Sequence, residues 1–536
     1  MAGNAAPRTA LKGSSVDVVV VGAGFGGLYM VHKAREAGLS VQGFEAGGGV
    51  GGTWYWNRYP GARCDIPSLF YSFTWSEELA REWRWSEKYA PQPEILRYAE
   101  HIADRFDLRP AFHFNTRVES AVFDEATARW TVRTDQGDEV SARWVVMATG
   151  CLSVPKNPDI PGADRFKGET HLTGLWPHEG VDFTGKRVAV IGTGSSAIQS
   201  IPLIARDAAQ VTVFQRTPNF SLPALNSPLS DAEVDGYLEG FTGYRDMLRS
   251  GQSIFPAPPP DYRVQGEELE TLKSGLWNGM GLMSLFAIPN LMRMPDLNEE
   301  VCEHVRDRVR QMVRDPEVAE RLVPRGYAIG AKRPCVDTDY YATFNRDNVR
   351  LVDLRETPIE TITKMGVRTT AGETPFDVIV FATGFDAMTG ALLKMDIRGR
   401  DGRTLGEAWA EGPKTYLGLM VAGFPNLFTV TGPGSPSVLS NMISSIEQHI
   451  DWIDNAITWA NGRQARTLEA DPSAQEAWVA HVNEAAEGSL YLDAASWYMG
   501  ANVPGKPRVF MPYIGEGYKI RIDEVAARDY EGFRTE

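Results

Sequence analysis

Two stretches of this 536-residue chain alternate apolar runs and glycine turns in the same way. In the first, Val18–Val21 read as a buried strand, followed by the turn Gly22-Ala23-Gly24-Phe25-Gly26-Gly27. Leu28, Val31, Ala34 and Arg35 then recur at helical spacing until Gly38, and the strand VQGFE ends at Glu45. In the second, the strand RVAVI leads into Gly192, Gly194 and Ala197, a helix from about Ser195, and the strand QVTVF ending near Gln215. Pro202 falls inside that helix and predicts a kink or an early break. RWVVMATG (143–150) reads as the closing strand of the first unit. Downstream, VRLVDL (349–354), a hairpin-like ETITKMGVRTTAGE and FDVIVFATG ending at Gly384 repeat the strand pattern and its ATG ending.

Between about 220 and 331 the period changes. Val301, Val305, Val309, Met312 and Val313 share one helical face, and the arginines at 306, 308, 310 and 314 fall mostly on a solvated side. The Met- and Trp-bearing stretch 276–294 reads as packing. The pattern predicts an α/β protein with two Rossmann-like dinucleotide-binding domains and a mostly helical insertion. One domain takes 1–151 and 385–536, the other 152–219 and 332–384, and the insertion 220–331.

Composition narrows the function classes. A net charge of −15 argues against a general nucleic-acid or anionic-membrane binder. The segment MAGNAAPRTALKGSS carries no apolar core, so neither a signal peptide nor an anchor is expected, and no apolar stretch is long enough to span a bilayer. Cys64, Cys151, Cys302 and Cys335 are widely spaced, with no CxxC pair, and the eight histidines show no metal-ligand spacing. A cytoplasmic protein without a metal is the expectation, and the acidic surface is compatible with a monomer.

The two fingerprints differ in charge. Glu45 lies 23 residues after Gly22, and Gln215 lies 23 residues after Gly192. A carboxylate at that position accepts from a free ribose 2′-hydroxyl and would repel a 2′-phosphate. Gln215 removes the repulsion, while Arg216 and Thr217 offer a cation and a hydroxyl. The first site therefore suits FAD or NAD and the second NADP, the combination of a flavin fed by NADPH. The alternative for Arg216 is a surface ion pair.

A longer motif makes the reading specific. GGTWYWNRYPGARCD (51–65) fits [AG]GxWxxxx[FY]P[GM]xxxD through Gly52, Trp54, Tyr59, Pro60, Gly61 and Asp65. With the two fingerprints, and with GYAIGAKRPCVDTDYYATFNRDNV, GFDAMTGALLKMDIRG, FPNLFTVTGPGSPS and ASWYMGANVPGKPRVF, the chain resembles the type I Baeyer–Villiger monooxygenases almost end to end. It is closest in style to the members that oxidise phenylacetone. The resemblance implies NADPH- and O2-dependent oxidation of a ketone to an ester or lactone, through a flavin C4a-peroxide and a Criegee intermediate, with sulfoxidation as a side activity. It assigns Arg333 and Asp65 to catalysis, the guanidinium stabilising anionic oxygen. For the flavin it carries over Phe25, Glu45, Thr53, Trp54, Asp65, Tyr71, Val118, Cys151 and Met442. For NADP it carries over Thr193, Gly194, Ser195, Ser196, Arg216, Thr217, Lys332, Arg333 and Trp497, the last in a loop expected to close over the nicotinamide. Ser437, Val438 and Leu439 are the implied substrate pocket.

One position departs from the family. Its linker pattern FxGxxxHxxxWP is matched at Phe166, Gly168, Trp176 and Pro177, but Leu172 stands where the histidine belongs and His171 comes one place early. His171 either substitutes through a local backbone adjustment or is a surface histidine without that role. Three other functions compete: a flavin N- or S-oxygenase, told apart by its product; a pyridine-nucleotide disulfide reductase, which needs the dithiol missing here; and a cofactor-binding sensor, which would bind nucleotide without ketone-dependent turnover.

Overall fold

The structure is a computed structural model that describes residues 10–250, 259–515 and 517–536. The expectation about a targeting signal falls partly on residues 1–9, outside the described residues. Two sheets organise the chain. The larger runs in the order Asp396–Arg398, Val118–Asp124, Arg129–Thr134, Glu139–Met147, Lys12–Val21, Val41–Phe44, Phe112–His113. Leu427–Thr429 lies parallel beside the end of Glu139–Met147. RWVVMATG is thus an interior strand, paired in parallel with Lys12–Val21 from Val18↔Trp144 to Val21↔Met147.

Strand alternation splits the core of this sheet. Val18, Val20, Trp144 and Val146 face a layer containing the helices Phe25–Glu36 and Met442–Gly462, through Leu28, Val31, Ile443 and Ile450. Val19, Val21, Val145 and Met147 face Trp130, Val132 and Leu427.

The second sheet is wholly parallel, in the order Val349–Asp353, Gln210–Gln215, Arg187–Ile191, Val378–Phe381, Glu169–Leu172. The helix Ser195–Asp207 covers one face, where Ile198 and Ile201 meet Val188, Val190, Val211 and Val213. It continues past Pro202 to Asp207, so the expected early break does not occur. Proline withholds one helical N–H, but the flanking Ile201 and Ile204 are fully buried, and that packing holds the turns together.

Among the described residues the insertion is mostly helical from Asp231 onwards, and it is joined to the second unit by parallel strands Ser221–Pro223 and Cys335–Asp337. In its helix Pro295–Met312, Val301, Val305 and Val309 are buried as expected, but Arg306 is not on a solvated face. Its side chain is buried because every direction finds an acceptor: the Pro324 carbonyl at 2.8 Å, Glu299 at 2.5 Å and Glu303 at 3.0 Å. Among the described residues, no helix is long and apolar enough to cross a membrane.

Candidate active site

The two glycine turns have matching geometry. Gly22 and Gly192 adopt φ of +106° and +115°. A Cβ on either would stand 2.5 Å from the Ala148 carbonyl oxygen and 2.4 Å from that of Ala382. Each first glycine thus sits against the alanine of one ATG ending, which explains why that tripeptide occurs twice. Gly27 is held still more tightly, since its Cβ would lie 1.8 Å from the oxygen of Gly22.

Gly24 and Gly194 are the N-caps of the following helices, with no side-chain cap and no acid in the first turn. The leading N–H groups of both helices are therefore not capped by a side chain, and a Cβ on Gly194 would meet no protein atom at all. A pyrophosphate fits that open approach to the helix N-terminus.

Beyond the first turn, Glu45 is buried and accepts from the N–H of Ala23 at 2.8 Å and of Gly47 at 2.6 Å. Burial pushes its carboxyl up, and these donors with Arg117 pull against it. Beyond the second, Gln215 donates its amide to the Arg321 carbonyl at 2.7 Å, and Arg216 and Thr217 are exposed. Thr193 ties the turn to Thr217 by donating to its carbonyl at 2.9 Å. Ser195 Oγ lies 3.3 Å from Cys335 Sγ, and Ser196 Oγ lies 3.2 Å from the Thr173 hydroxyl. Lys332 rests its amine 4.2 Å from the centre of the Tyr327 ring. Burial, then the charge of Arg216, pulls the Lys332 pKa down.

The Asp65 motif crosses from the first unit to the second. Its Tyr59 donates to Gln199 on the second Rossmann helix at 3.0 Å, and Gln199 donates back to the Arg63 carbonyl at 3.2 Å. Gly61 has φ +79°, and a Cβ there would stand 2.4 Å from the Gln199 carbonyl oxygen, so only glycine permits this approach. Trp54 donates its indole N–H to Tyr71 at 3.1 Å, and Phe25 meets Tyr71 edge-on at 6.1 Å. Thr53, at the start of the same short helix, is exposed.

The motif ends on a shared ion pair. Arg333 donates from Nε to one oxygen of Asp65 at 2.8 Å, with Nη2 also 2.8 Å from that oxygen, and from Nη1 to the Val438 carbonyl at 2.9 Å. The side chains keep 19% and 29% of their exposure, so the pair is sheltered yet reachable. Burial disfavours the cation, but the charge and hydrogen bond of Asp65, together with Tyr498 and Cys64, outweigh it and hold the guanidinium above its usual value.

Around this pair the structure gathers residues from distant parts of the chain. Cys151 and Val438 share a buried cluster with Ala387, Met388, Tyr498 and Phe510, and Leu439, Met442 and Trp497 pack against it. Ser437 is fully buried, with φ +46°, and lies 3.3 Å from Cys151 Sγ. Burial pushes the Cys151 thiol up, so it is a packing group and no thiolate nucleophile. Val118 is outside this cluster, buried instead with Val19, Val21 and Met147 of the first sheet.

The sequence missed three residues here. Tyr498 lies within hydrogen-bonding reach of Arg333, and burial raises its hydroxyl pKa while Arg333 lowers it. His449, also buried, accepts at Nδ1 from the N–H of Thr431 at 2.9 Å. Its Nε2 therefore carries the proton and donates to the Tyr518 hydroxyl at 2.7 Å. Thr431 has φ +53°, and its carbonyl accepts from Ser437 at 3.0 Å, so His449 props the turn that holds Ser437. Lys156, in the link between the sheets, is the third. Tyr498 lies beside Trp497 in the stretch ASWYMGANVPGKPRVF, but nothing there marks it out, and His449 and Lys156 lie in no motif; an isolated His, Tyr or Lys carries no signal until folding supplies its neighbours.

The linker departure is settled by register. His171 pairs with Val380 and Leu172 with Phe381 in a regular parallel ladder, so the two side chains face opposite ways. Leu172 packs into the apolar layer with Ile191, Phe214 and Phe381, while His171 lies beside Trp176 and Glu169. No local backbone adjustment therefore brings His171 to the position of Leu172.

Residues 19–224 match the sequence family described as pyridine nucleotide-disulphide oxidoreductase. The four cysteines, however, are all buried and free, no disulfide joins any two of them, and none belongs to a CxxC pair. A Baeyer-Villiger monooxygenase of Pseudooceanicola batsensis is 40% identical over 532 residues, covering 98% of this chain and 97% of the relative. A solved structure of oxidised steroid monooxygenase bound to NADP is 52% identical, with TM-score 0.93, covering 97% of this chain and 99% of that one. A structure of OTEMO in complex with FAD and NADP is 39% identical, with TM-score 0.92, covering 97% and 99%. With both glycine cradles, the Asp65 motif and Arg333 in place, the chain belongs to the type I Baeyer–Villiger monooxygenases, FAD- and NADPH-dependent enzymes that oxidise ketones to esters or lactones.

Proposed function

We propose that Arg333, oriented by Asp65, is the fixed cation of the oxygen-insertion site, acting on a ketone held by Ser437, Val438 and Leu439. The observation that carries this reading is the guanidinium shared between Asp65 and the Val438 carbonyl. It joins the end of the family motif to the pocket wall. Bound FAD supplies the oxygen-activating ring and NADPH the reducing equivalents. Arginine stays protonated at every working pH, so Arg333 favours anionic oxygen without giving up a proton. Asp65 holds the guanidinium plane and balances its charge.

Gly22, Gly24, Gly27, Phe25, Glu45, Thr53, Trp54 and Tyr71 form the flavin side of this proposal, with Val118, Cys151 and Met442. Gly192, Thr193, Gly194, Ser195, Ser196, Arg216, Thr217, Lys332 and Trp497 form the NADP side. The division of the chain into 1–151 with 385–536, 152–219 with 332–384, and 220–331 is supported by Leu427–Thr429 pairing in the first sheet and Val378–Phe381 in the second. The enzyme works as a cytoplasmic monomer in this reading, supported by its unpaired cysteines and acidic surface.

The test is a panel of aromatic, cyclic, long-chain and steroid-like ketones, with product mass and NADPH consumption measured together. Ester or lactone in proportion to NADPH is expected. Phenylacetone among the best substrates would support the finer likeness to phenylacetone monooxygenase. Only N- or S-oxides from amine and sulfide controls, with no ester from any ketone, would overturn the reading.

A further inference from the structure

The cations near Arg216 reach beyond those the sequence singles out. Lys156 is pinned to the second ATG ending: its N–H donates to the Gly384 carbonyl at 2.9 Å, and its own carbonyl accepts from Thr383 at 2.8 Å. Its ammonium donates to the carbonyl of Asn502. Burial and then the charge of Arg216 pull the Lys156 pKa down, as they do for Lys332, while Asp386 and Asp159 pull it back up. Lys156 and Lys332 thus each feel the charge of Arg216, and the ATG ending that pins Lys156 is the one packed against the Gly192 turn; an anion at Arg216 would relieve both repulsions.

Asn502 belongs to the segment that follows Trp497, and this segment is docked on residues 385–387. Asn502 donates its amide to the Phe385 carbonyl at 2.6 Å, and Lys506 donates to Asp386 at 2.7 Å and to the Ala387 carbonyl at 2.8 Å. At its other end, Trp497 lies 4.5 Å, ring to ring, from Tyr498, the neighbour of Arg333. An ammonium has three donors, and the Asn502 bond uses one.

We infer that Lys156 is a specificity and positioning residue that binds the 2′-phosphate of NADP and, through the Asn502 carbonyl, holds the 496–506 loop closed when that phosphate is present. This rests on the proposed role of Arg216 and Lys332 as the phosphate site. With NADP, the phosphate dianion draws the ammonium in and keeps it charged, so the bond to Asn502 is made at full strength. With NAD, the repulsion from Arg216 is uncompensated and the bond is weaker. The same loop then closes less completely over an otherwise identical nicotinamide.

The experiment uses the FAD-loaded full chain as wild type, Lys156→Met, Lys156→Arg and Arg216→Ala. Dissociation constants for NADP+ and NAD+ are read from flavin absorbance, and amide hydrogen exchange over 496–506 is measured with each nucleotide at saturation. Wild type is expected to protect the loop more with NADP+ than with NAD+. Lys156→Met should lose about tenfold or more in NADP+ affinity, keep its NAD+ affinity, and lose the extra protection. Lys156→Arg keeps the charge and should retain part of both effects. A Lys156→Met enzyme that binds NADP+ as tightly as wild type, or keeps the extra protection, overturns the inference. If Arg216→Ala still lowers NADP+ affinity in that case, the phosphate site stands and only the role of Lys156 falls. If neither variant changes the NADP+ to NAD+ ratio, both fall.

Discussion

At the scale of single residues, one cation makes the sharpest claim. Arg333→Ala removes the charge but none of the flavin cradle, so FAD content and NADPH oxidation should persist. Ester formation should fall about 100-fold or more, the usual cost of losing a preorganised oxyanion partner. Peroxide release and ester yield measured side by side check this. Arg333→Lys keeps a charge but cannot reach one Asp65 oxygen through two donors and the Val438 carbonyl at once, so it should recover only part of the yield.

Two buried groups give the stability a defined pH dependence. Burial holds His449 neutral, its pKa lowered to about 3, whereas an unfolded imidazole protonates near 6.5. Between those values the unfolded chain binds the extra proton, so this group makes stability fall as pH drops. Burial raises Glu447 to about 7, against the donors from Thr74. From the ordinary carboxyl range up to about 7 the folded chain holds the extra proton, so this group makes stability fall as pH rises. Denaturant midpoints from pH 3.5 to 7.5 should therefore lose acid sensitivity in His449→Gln and lose the decline toward pH 7 in Glu447→Gln.

At the scale of elements, the contact that matters most is a backbone approach. Gly61 lets the Asp65 motif lie against the Gln199 carbonyl of the second Rossmann helix. Gly61→Ala puts a Cβ into that carbonyl at a positive φ and should cost about 1 kcal/mol or more. Because Asp65 is four residues further on, ester yield per NADPH should fall along with the melting temperature. A loss of stability with full coupling would show that the docking has no part in orienting Asp65. The linker strand teaches a related point. Leu172→His would bury an imidazole in the layer of Ile191, Phe214 and Phe381 rather than beside Trp176, so a destabilised enzyme is expected.

At the scale of the whole molecule, electrostatics divide the labour. A chain of net charge −15 repels anions in general, yet it sets Lys156 and Lys332 each within range of the charge of Arg216. Arg216→Ala combined with Lys332→Ala should bring the NADPH and NADH affinities together, with the loss confined to NADPH and about tenfold or more for each charge removed. Titration of both nucleotides at two ionic strengths checks this, since the phosphate contribution alone should weaken with salt.

What the sequence determined by itself was local and periodic. The strand–glycine–helix units, the apolar alternation of both sheets and the contrast between Glu45 and Gln215 follow from backbone sterics and spacing, which act over a few residues. The family motif added Asp65 and Arg333 as a pair. Only the tertiary structure decided which atoms Arg333 shares with Val438, that Cys151, Val438, Leu439, Met442 and Trp497 lie together, and that His449, Tyr498 and Lys156 join the site. It also carried the helix through Pro202, because burial of Ile201 and Ile204 outweighs a missing hydrogen bond, and it turned Arg306 inward, because three acceptors converge there. The physical reason is the same in each case: a side chain takes its role from the neighbours that packing brings against it, some close in sequence and some, like Asp65 and Arg333, hundreds of residues apart, and those contacts exist only once the chain has packed.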